Sequence, residues 1–247
     1  MACVDSLVES PGSKTVVGIN AHTLSLAHRI PEYHEALRTI DLLYAEGASI
    51  VLASHILGPP LRAKLTTTDL WPLACALALD KGYRVYLLGG EEGLADEAAR
   101  KAMADWPGLK VVGTHHGYCA LEDEAVIEKV NGARPDLLWV GMGEPKQVLW
   151  SRMHSGKIRA GVIMTCGGMF RIIAGRQLRP GPAWRKAGLE WLGRVIREPP
   201  VWRRYAQDLP LVGARVLVEL LSRRRKGTGG SRDVNSPRRS RDRGALS

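Results

Sequence analysis

Short apolar runs of strand type alternate with stretches of helical periodicity along most of the chain. Residues 15–19 read as a strand, Asn20 follows, and a helix starts near His22. A second unit runs from a strand over residues 39–44 through Glu46-Gly47 to a helix ending near Leu57. In TTTDLWPLACALALDKG, Thr68 or Asp69 suits a helix N-cap and Pro72 suits the first helical turn. Residues 83–88 form a buried-type strand that runs into Gly89-Gly90, with a helix predicted over about residues 92–104. Further strands are predicted at 110–113, 136–140 and 161–164, the last two ending in GMGEPKQ and TCGGMF. This alternation predicts an α/β fold in which a parallel sheet is covered by helices.

A glycine-containing loop follows strand after strand. In open parallel sheets ligands bind outside the carboxyl ends of the strands, where helix N-termini offer N–H groups to phosphates. The pattern therefore predicts a polar-ligand cleft built from Asn20, Glu46, the 66–69 loop, Gly89, Gly90, residues 141–147 and residues 166–168. Glu46 is the carboxylate placed where the second strand hands over to its helix. GGEEG is a poor phosphate cradle by itself, because Glu91 and Glu92 repel an anion and also suit the start of a helix. GMGEPK matches neither a dinucleotide-binding fingerprint nor a P-loop. His115 and His116, adjacent on a strand, are expected to point to opposite faces, which argues against joint metal chelation. Cys166 lies in a glycine loop with no histidine pattern marking it as a nucleophile.

Composition and charge add a second theme. With 247 residues, 45% of them hydrophobic, the chain can build the core of one large or two small domains. Residues 176–247 hold 18 Lys and Arg against 6 Asp and Glu, whereas residues 1–175 hold 17 against 19. Such a basic C-terminal part favours an anionic partner, either a membrane surface or a nucleic acid. Within it, segment 188–208 is amphipathic. Leu189, Leu192, Val195 and Ile196 share one face, Arg194, Arg197, Arg203 and Arg204 are interspersed, and Trp191, Trp202 and Tyr205 lie beside them. That arrangement suits a membrane interface, and Pro199-Pro200 is expected to split it into two helices. No apolar run approaches the roughly 20 residues of a membrane span. The N-terminus shows no secretory-signal pattern, and four cysteines without a CxxC pair fit a reducing cytoplasm. Residues 1–14 are expected to be a flexible leader and residues 222–247, rich in Arg, Gly and Ser, a disordered basic tail.

Four stretches in this order, TTTDL, YRVYLLGG followed by VVGTHHGY, RPDLLWVGMGEPKQ, and AGLEWLGRVIREPPVWRRY, resemble the WecG/TagA/CpsF family of bacterial glycosyltransferases from about Val16 to Tyr205. The resemblance implies a Rossmann-like catalytic domain over residues 15–180 and a helical membrane-associating appendage over 181–221. It implies an inverting transfer of a sugar from a UDP-sugar to a polyprenyl-diphosphate-linked saccharide, in teichoic-acid, capsule or exopolysaccharide biosynthesis. It further implies no metal cofactor, a cytoplasmic protein peripheral to the inner face of the plasma membrane, a homo-oligomer, and no nucleic-acid partner. An inverting transfer needs a base for the acceptor hydroxyl and positive or N–H groups for the departing diphosphate.

Position by position, the resemblance makes Glu46 the counterpart of an aspartate base, one methylene longer. Asn20 matches an asparagine, while Gly18 stands where the family has threonine. Lys64 replaces an arginine, keeping the charge but not the bidentate fork. Thr67 replaces a glycine, and Thr68 and Asp69 match. Gly143, Pro145 and Gln147 match a Gly-x-Pro-x-Gln-Glu loop whose glutamate is Val148 here. Arg171 stands where an aspartate is expected near the nucleoside pocket, and Arg179-Pro180-Gly181 replaces Arg-Ala-Pro. Tyr118 matches a tyrosine able to stack on or bond the nucleoside, and Gly89, Gly90 and Gly141 complete the implied substrate-binding set. Arg194, Arg197, Arg203 and Arg204 are implied in membrane contact and active-site closure. These departures leave open a non-catalytic nucleotide-sugar-binding or scaffold homologue, and the basic tail leaves open a nucleic-acid-binding protein.

Overall fold

The structure, a computed structural model, describes residues 1–58, 60–61, 64–179, 181, 192 and 201–228. Six strands, β1 (Lys14–Ile19), β2 (Leu42–Ala45), β3 (Arg84–Gly89), β4 (Lys110–His115), β5 (Leu137–Gly141) and β6 (Val162–Thr165), form one sheet in the order β2-β1-β6-β5-β3-β4. Every neighbouring pair is parallel. The helices are α1 (Ala2–Val8), α2 (Ala21–Arg29), α3 (Pro31–Arg38), α4 (Ala48–Leu57), α5 (Thr67–Lys81), α6 (Leu94–Asp105), α7 (Glu124–Ala133), α8 (Lys146–His154), α9 (Met169–Ile173) and α10 (Val201–Thr228). This is the helix-covered parallel sheet that the alternating pattern predicts, with the Rossmann-like architecture that the resemblance implies.

Alternation along the central strands decides which face each residue serves. Val85, Leu87, Leu137, Trp139, Val162 and Met164 enter the core shared with α1, α5, α6 and α9, where Trp71 meets Trp139 edge-on at 5.4 Å. Their neighbours Tyr86, Leu88, Leu138, Val140 and Ile163 enter the opposite core with Val126, Ile127 and Val130 of α7 and Trp150 of α8. A smaller core of Val17, Tyr33, Ala36, Leu37 and Val148 seats α3 beside α8. Burying an aliphatic or aromatic side chain contributes about 1.5–3 kcal/mol, so even the short α7 is held by its three core residues.

Several boundaries differ from the sequence expectation. Residues 1–14 are not a loose leader throughout: α1 buries Val4, and its Asp5 accepts from Tyr83 Oη at 2.8 Å and pairs with Lys81 at 2.9 Å. Residues 39–41 form a turn rather than strand, because α3 runs to Arg38 and Asp41 accepts from the Thr15 N–H at 2.9 Å. The N-cap of α5 is Thr66, neither Thr68 nor Asp69, through a reciprocal Thr66–Asp69 capping box that places Pro72 inside the helix. Helix α6 begins at Leu94, two residues later than expected, leaving Glu91 and Glu92 in the preceding loop. Strand β4 extends to His115, so His116 lies beyond it, and the two imidazoles sit 4.4 Å apart rather than on opposite faces. Residues 222–228, expected within a disordered tail, continue α10, where Arg223 Nε donates to Glu219 at 2.7 Å. The expected Pro199-Pro200 break and residues 229–247 lie outside the described residues.

Candidate functional site

The polar loops gather at the carboxyl ends of the strands. The β2–α4 connection is anchored by the Glu46 N–H, which donates to Ile19 O at 2.8 Å, and the incoming 64–66 segment by the Leu65 N–H, which donates to Ala45 O at 3.0 Å. The Glu46 side chain is thereby set between β1 and the start of α5. Its Oε1 accepts from the Thr67 hydroxyl at 2.5 Å and the Thr67 N–H at 3.1 Å, and its Oε2 accepts from Asn20 Nδ2 at 3.2 Å. Asn20 is used at both ends: its Oδ1 caps α2 by accepting from the N–H groups of His22 at 2.9 Å and Thr23 at 3.2 Å. Asn20 and Thr67 therefore hold the carboxylate in place from two elements.

Glu46 lines a cleft of about 910 Å³ together with Asn20, Lys64, Thr68, Gly143, Gln147, Arg179 and Arg204. Gln147 is buried and also used at both ends, donating to Glu144 Oε1 at 2.8 Å and accepting from the Gly167 N–H at 2.9 Å, so it ties the β5–α8 loop to the β6–α9 loop. Pro145, joined to Glu144 by a cis peptide bond, caps α8 in this loop. Asp69 faces Arg179, whose Nη2 donates to Asp69 Oδ1 at 2.6 Å and to Thr66 Oγ1 at 2.9 Å. Partial burial works to raise the Asp69 pKa, but the bonds from Thr66 and Arg179 outweigh it and hold the carboxyl below its ordinary value.

Two further polar residues of the cleft were not singled out by the sequence reading, although one lies within the predicted 141–147 loop. Glu144 lines the same cleft and accepts from the Tyr33 hydroxyl and from Gln147. Burial pushes its carboxyl pKa up against those two hydrogen bonds, and the charge of Glu46 pushes the same way. Its position between Gly143 and Pro145 in a post-strand loop was the available signal. His22 also lines the cleft, with Nδ1 2.8 Å from the buried Asp208 of α10. Nothing in the primary pattern pairs residues so far apart.

A second hollow of about 220 Å³ adjoins the first and shares Gly143, Gly167 and Gly168 with it. Gly90, Tyr118, Gly141 and Arg171 line it, and the Tyr118 ring is exposed. The close approach of β3 and β5 here requires glycine: a Cβ on Gly89 would lie 2.4 Å from Gly141 O. Arg171 Nη2 pairs with Glu91 at 2.8 Å, and Arg176 reaches Glu91 at 3.0 Å and Glu97 at 2.5 Å. The first acid of GGEEG thus does not stand as bare negative charge, since Arg171 and Arg176 face Glu91. Lys146 Nζ donates to Gly117 O at 2.9 Å and to Cys119 O, fastening the β4–α7 loop.

Helix α10 closes one side of the large cleft with Arg204, Tyr205 and Leu209. It docks through Asp208 on His22, through Arg215 on His28 at 2.7 Å, and through Arg223 Nη1 on Leu57 O at 2.5 Å. Arg203 is exposed on the same helix. Arg194 and Arg197 lie outside the described residues. No group of three His, Cys, Asp or Glu suited to a metal ion occurs among the described residues, and none of their helices is long and apolar enough to cross a membrane.

N-Acetylglucosaminyldiphosphoundecaprenol N-acetyl-beta-D-mannosaminyltransferase of Staphylococcus aureus (strain MW2) is 29% identical over 196 residues, covering 79% of this chain and 76% of that protein. The protein of the same name from Staphylococcus aureus (strain NCTC 8325 / PS 47) has the same identity and coverage. The family model for the glycosyl transferase WecG/TagA/CpsF family matches residues 1–226. The chain thus belongs to the WecG/TagA/CpsF family of glycosyltransferases.

Proposed function

We propose that this glycosyltransferase moves an N-acetylhexosaminyl unit from a UDP-sugar to a saccharide on polyprenyl diphosphate, with inversion at the anomeric carbon and Glu46 as the base. The observation that carries this reading is the Glu46 carboxylate, fixed by three donors at the strand ends beside a cleft of about 910 Å³. A cleft near the upper end of ordinary ligand sites has room for donor and acceptor together. In the proposed step the acceptor hydroxyl gives its proton to Glu46 while its oxygen bonds to the anomeric carbon. The bond to UDP breaks on the opposite face, and its electron pair leaves with the diphosphate. Lys64, Arg179 and Arg204 bring positive charge to the same cleft, and the glycine loops after β5 and β6 line it. We assign the leaving group's charge to these groups rather than to a resident metal.

The names of the Staphylococcus aureus proteins supply a transferred sugar and an acceptor, and with the UDP carrier proposed above the first pair to test is UDP-N-acetylmannosamine with N-acetylglucosaminyl-diphosphoundecaprenol. The expected result is transfer that is lost in Glu46→Gln with UDP binding retained. Transfer unchanged in Glu46→Gln removes this residue from the base role, and absence of turnover across a donor and acceptor panel with UDP binding intact assigns a non-catalytic role. Peripheral binding to the inner membrane face is part of the proposal. It is supported by the exposed Trp202, Leu209, Leu217, Val218 and Leu221 beside Arg203 and Arg215 on α10. Co-sedimentation with phosphatidylglycerol vesicles, weakened in 0.5 M salt, where the Debye length falls from about 8 Å to about 4 Å, tests it. Sedimentation velocity tests the homo-oligomer.

A further inference from the structure

We infer that Tyr44, Thr67 and Gly18 act together as a positioning unit for Glu46 and leave Oε2 as the oxygen that takes the acceptor's proton. This rests on the base role proposed above. The Tyr44 hydroxyl lies 2.9 Å from Thr67 Oγ1, and Thr67 Oγ1 lies 2.5 Å from Glu46 Oε1. A hydroxyl carries one proton, and the Thr67 proton is committed to the Glu46 carboxylate. Tyr44 must then be the donor in its contact with Thr67, so the bonds run in one direction from Tyr44 through Thr67 to Glu46. Burial, and after it the charge of Glu46, push the Tyr44 pKa upward, which keeps that donor protonated.

Gly18 makes the arrangement sterically possible. It stands opposite Tyr44 in the β1–β2 register, and a Cβ there would lie 2.7 Å from both Cζ and Oη of the tyrosine. Any larger residue would push the hydroxyl off Thr67. With the tyrosine in place, Oε1 of Glu46 receives two donors from Thr67, the hydroxyl and the N–H, which occupy its two lone-pair directions. Among the described residues, Oε2 receives only the Asn20 amide. One lone pair of Oε2 therefore remains for a substrate proton, and the carboxylate is prevented from rotating by three bonds from two elements. Tyr44 and Thr67 act through Glu46 and are positioning residues.

The test uses the full chain with UDP-N-acetylmannosamine and the N-acetylglucosaminyl-diphospholipid. Thr67→Val is expected to lower kcat about 100-fold and Tyr44→Phe about 10-fold, with both KM values within about 2-fold of wild type, the signature of lost transition-state geometry rather than lost binding. Thr67→Ser, which keeps the hydroxyl, restores kcat to within about 3-fold of wild type. Gly18→Ala reproduces the Tyr44→Phe defect or exceeds it. Unchanged kcat in Thr67→Val alongside an inactive Glu46→Gln overturns the positioning unit while leaving the base role standing. An active Glu46→Gln overturns the base role itself, and this inference with it. A crystal structure of Thr67→Val reads the geometry without turnover: a displaced Glu46 carboxylate is expected, and one that stays bonded to Asn20 in its wild-type position overturns the inference.

Discussion

Shortening the Glu46 arm tests whether this cleft is built for a glutamate. In Glu46→Asp the carboxylate retreats by about 1.3 Å, slightly less than one C–C bond of roughly 1.5 Å. The Thr67 hydroxyl, Thr67 N–H and Asn20 amide now lie 2.5, 3.1 and 3.2 Å from the carboxylate oxygens. A retreat of that size lengthens each contact by up to about 1.3 Å depending on its direction, and the shorter side chain cannot keep all three within hydrogen-bonding range at once. A base misplaced by about 1 Å loses on the order of 100-fold in rate, equivalent to about 2.7 kcal/mol of transition-state stabilisation. The assay is steady-state transfer with both substrates varied. The fall is expected in kcat, with KM for the UDP-sugar little changed because Glu46 is assigned no contact with the donor. An aspartate variant as fast as wild type, or faster, refutes the reasoning: the three bonds would then not set the base, and the shorter arm would be the better fit.

Other outcomes follow from the same geometry. Gly89→Ala places a methyl 2.4 Å from Gly141 O, a backbone atom that cannot swing away, and should cost about 2 kcal/mol or more, seen as a fall of about 4 °C or more in Tm. Glu144 holds its proton to higher pH when folded than its ordinary 4.5, so ionising it costs stability as pH rises through that value, and the cost is complete above the raised folded pKa. The Tm of Glu144→Gln relative to wild type should accordingly rise as pH increases above the ordinary 4.5 toward the raised folded value. Asp69 is shifted the opposite way, below its ordinary 3.8, so its contribution is present at neutral pH and is lost as pH falls through the folded value. Arg179→Met should lower Tm at neutral pH and have a smaller effect in acid, as read by scanning calorimetry.

The strand-and-loop skeleton was legible because its signals are local. Each post-strand glycine loop marks a carboxyl end of the sheet, and Asn20, Glu46, Gly143 and Gln147 all fall into one cleft as a result. Details set by partners distant in sequence were not legible. Thr66 becomes the cap of α5 only because Asp69 turns back on it and Arg179, more than a hundred positions later, fastens both. Residues 1–14 read as a leader because the apolar face of α1 is short, Met1, Val4, Leu7 and Val8, and is held down by packing on the sheet core and by the Asp5 bonds to Tyr83 and Lys81, partners distant in sequence. The pair His22–Asp208 has no trace in the local pattern, since each half lies on a different helix and finds the other only when α10 docks.

The departures from the family pattern look different once their neighbours are in view. By the resemblance, Arg171 stands in place of an acid, Val148 in place of a glutamate, Gly18 in place of a threonine and Thr67 in place of a glycine. In the structure Arg171 meets Glu91 at 2.8 Å. Val148 is fully buried against the Val17, Tyr33 and Leu37 core, where an unpaired carboxylate would be costly. Gly18 admits the Tyr44 ring that reaches Thr67, which in turn holds the longer Glu46. Each of these departures thus has an answering residue elsewhere in the chain. Reverting one member alone should break a contact that reverting the linked members together does not, so the cleft has to be compared with its relatives as coupled sets rather than position by position.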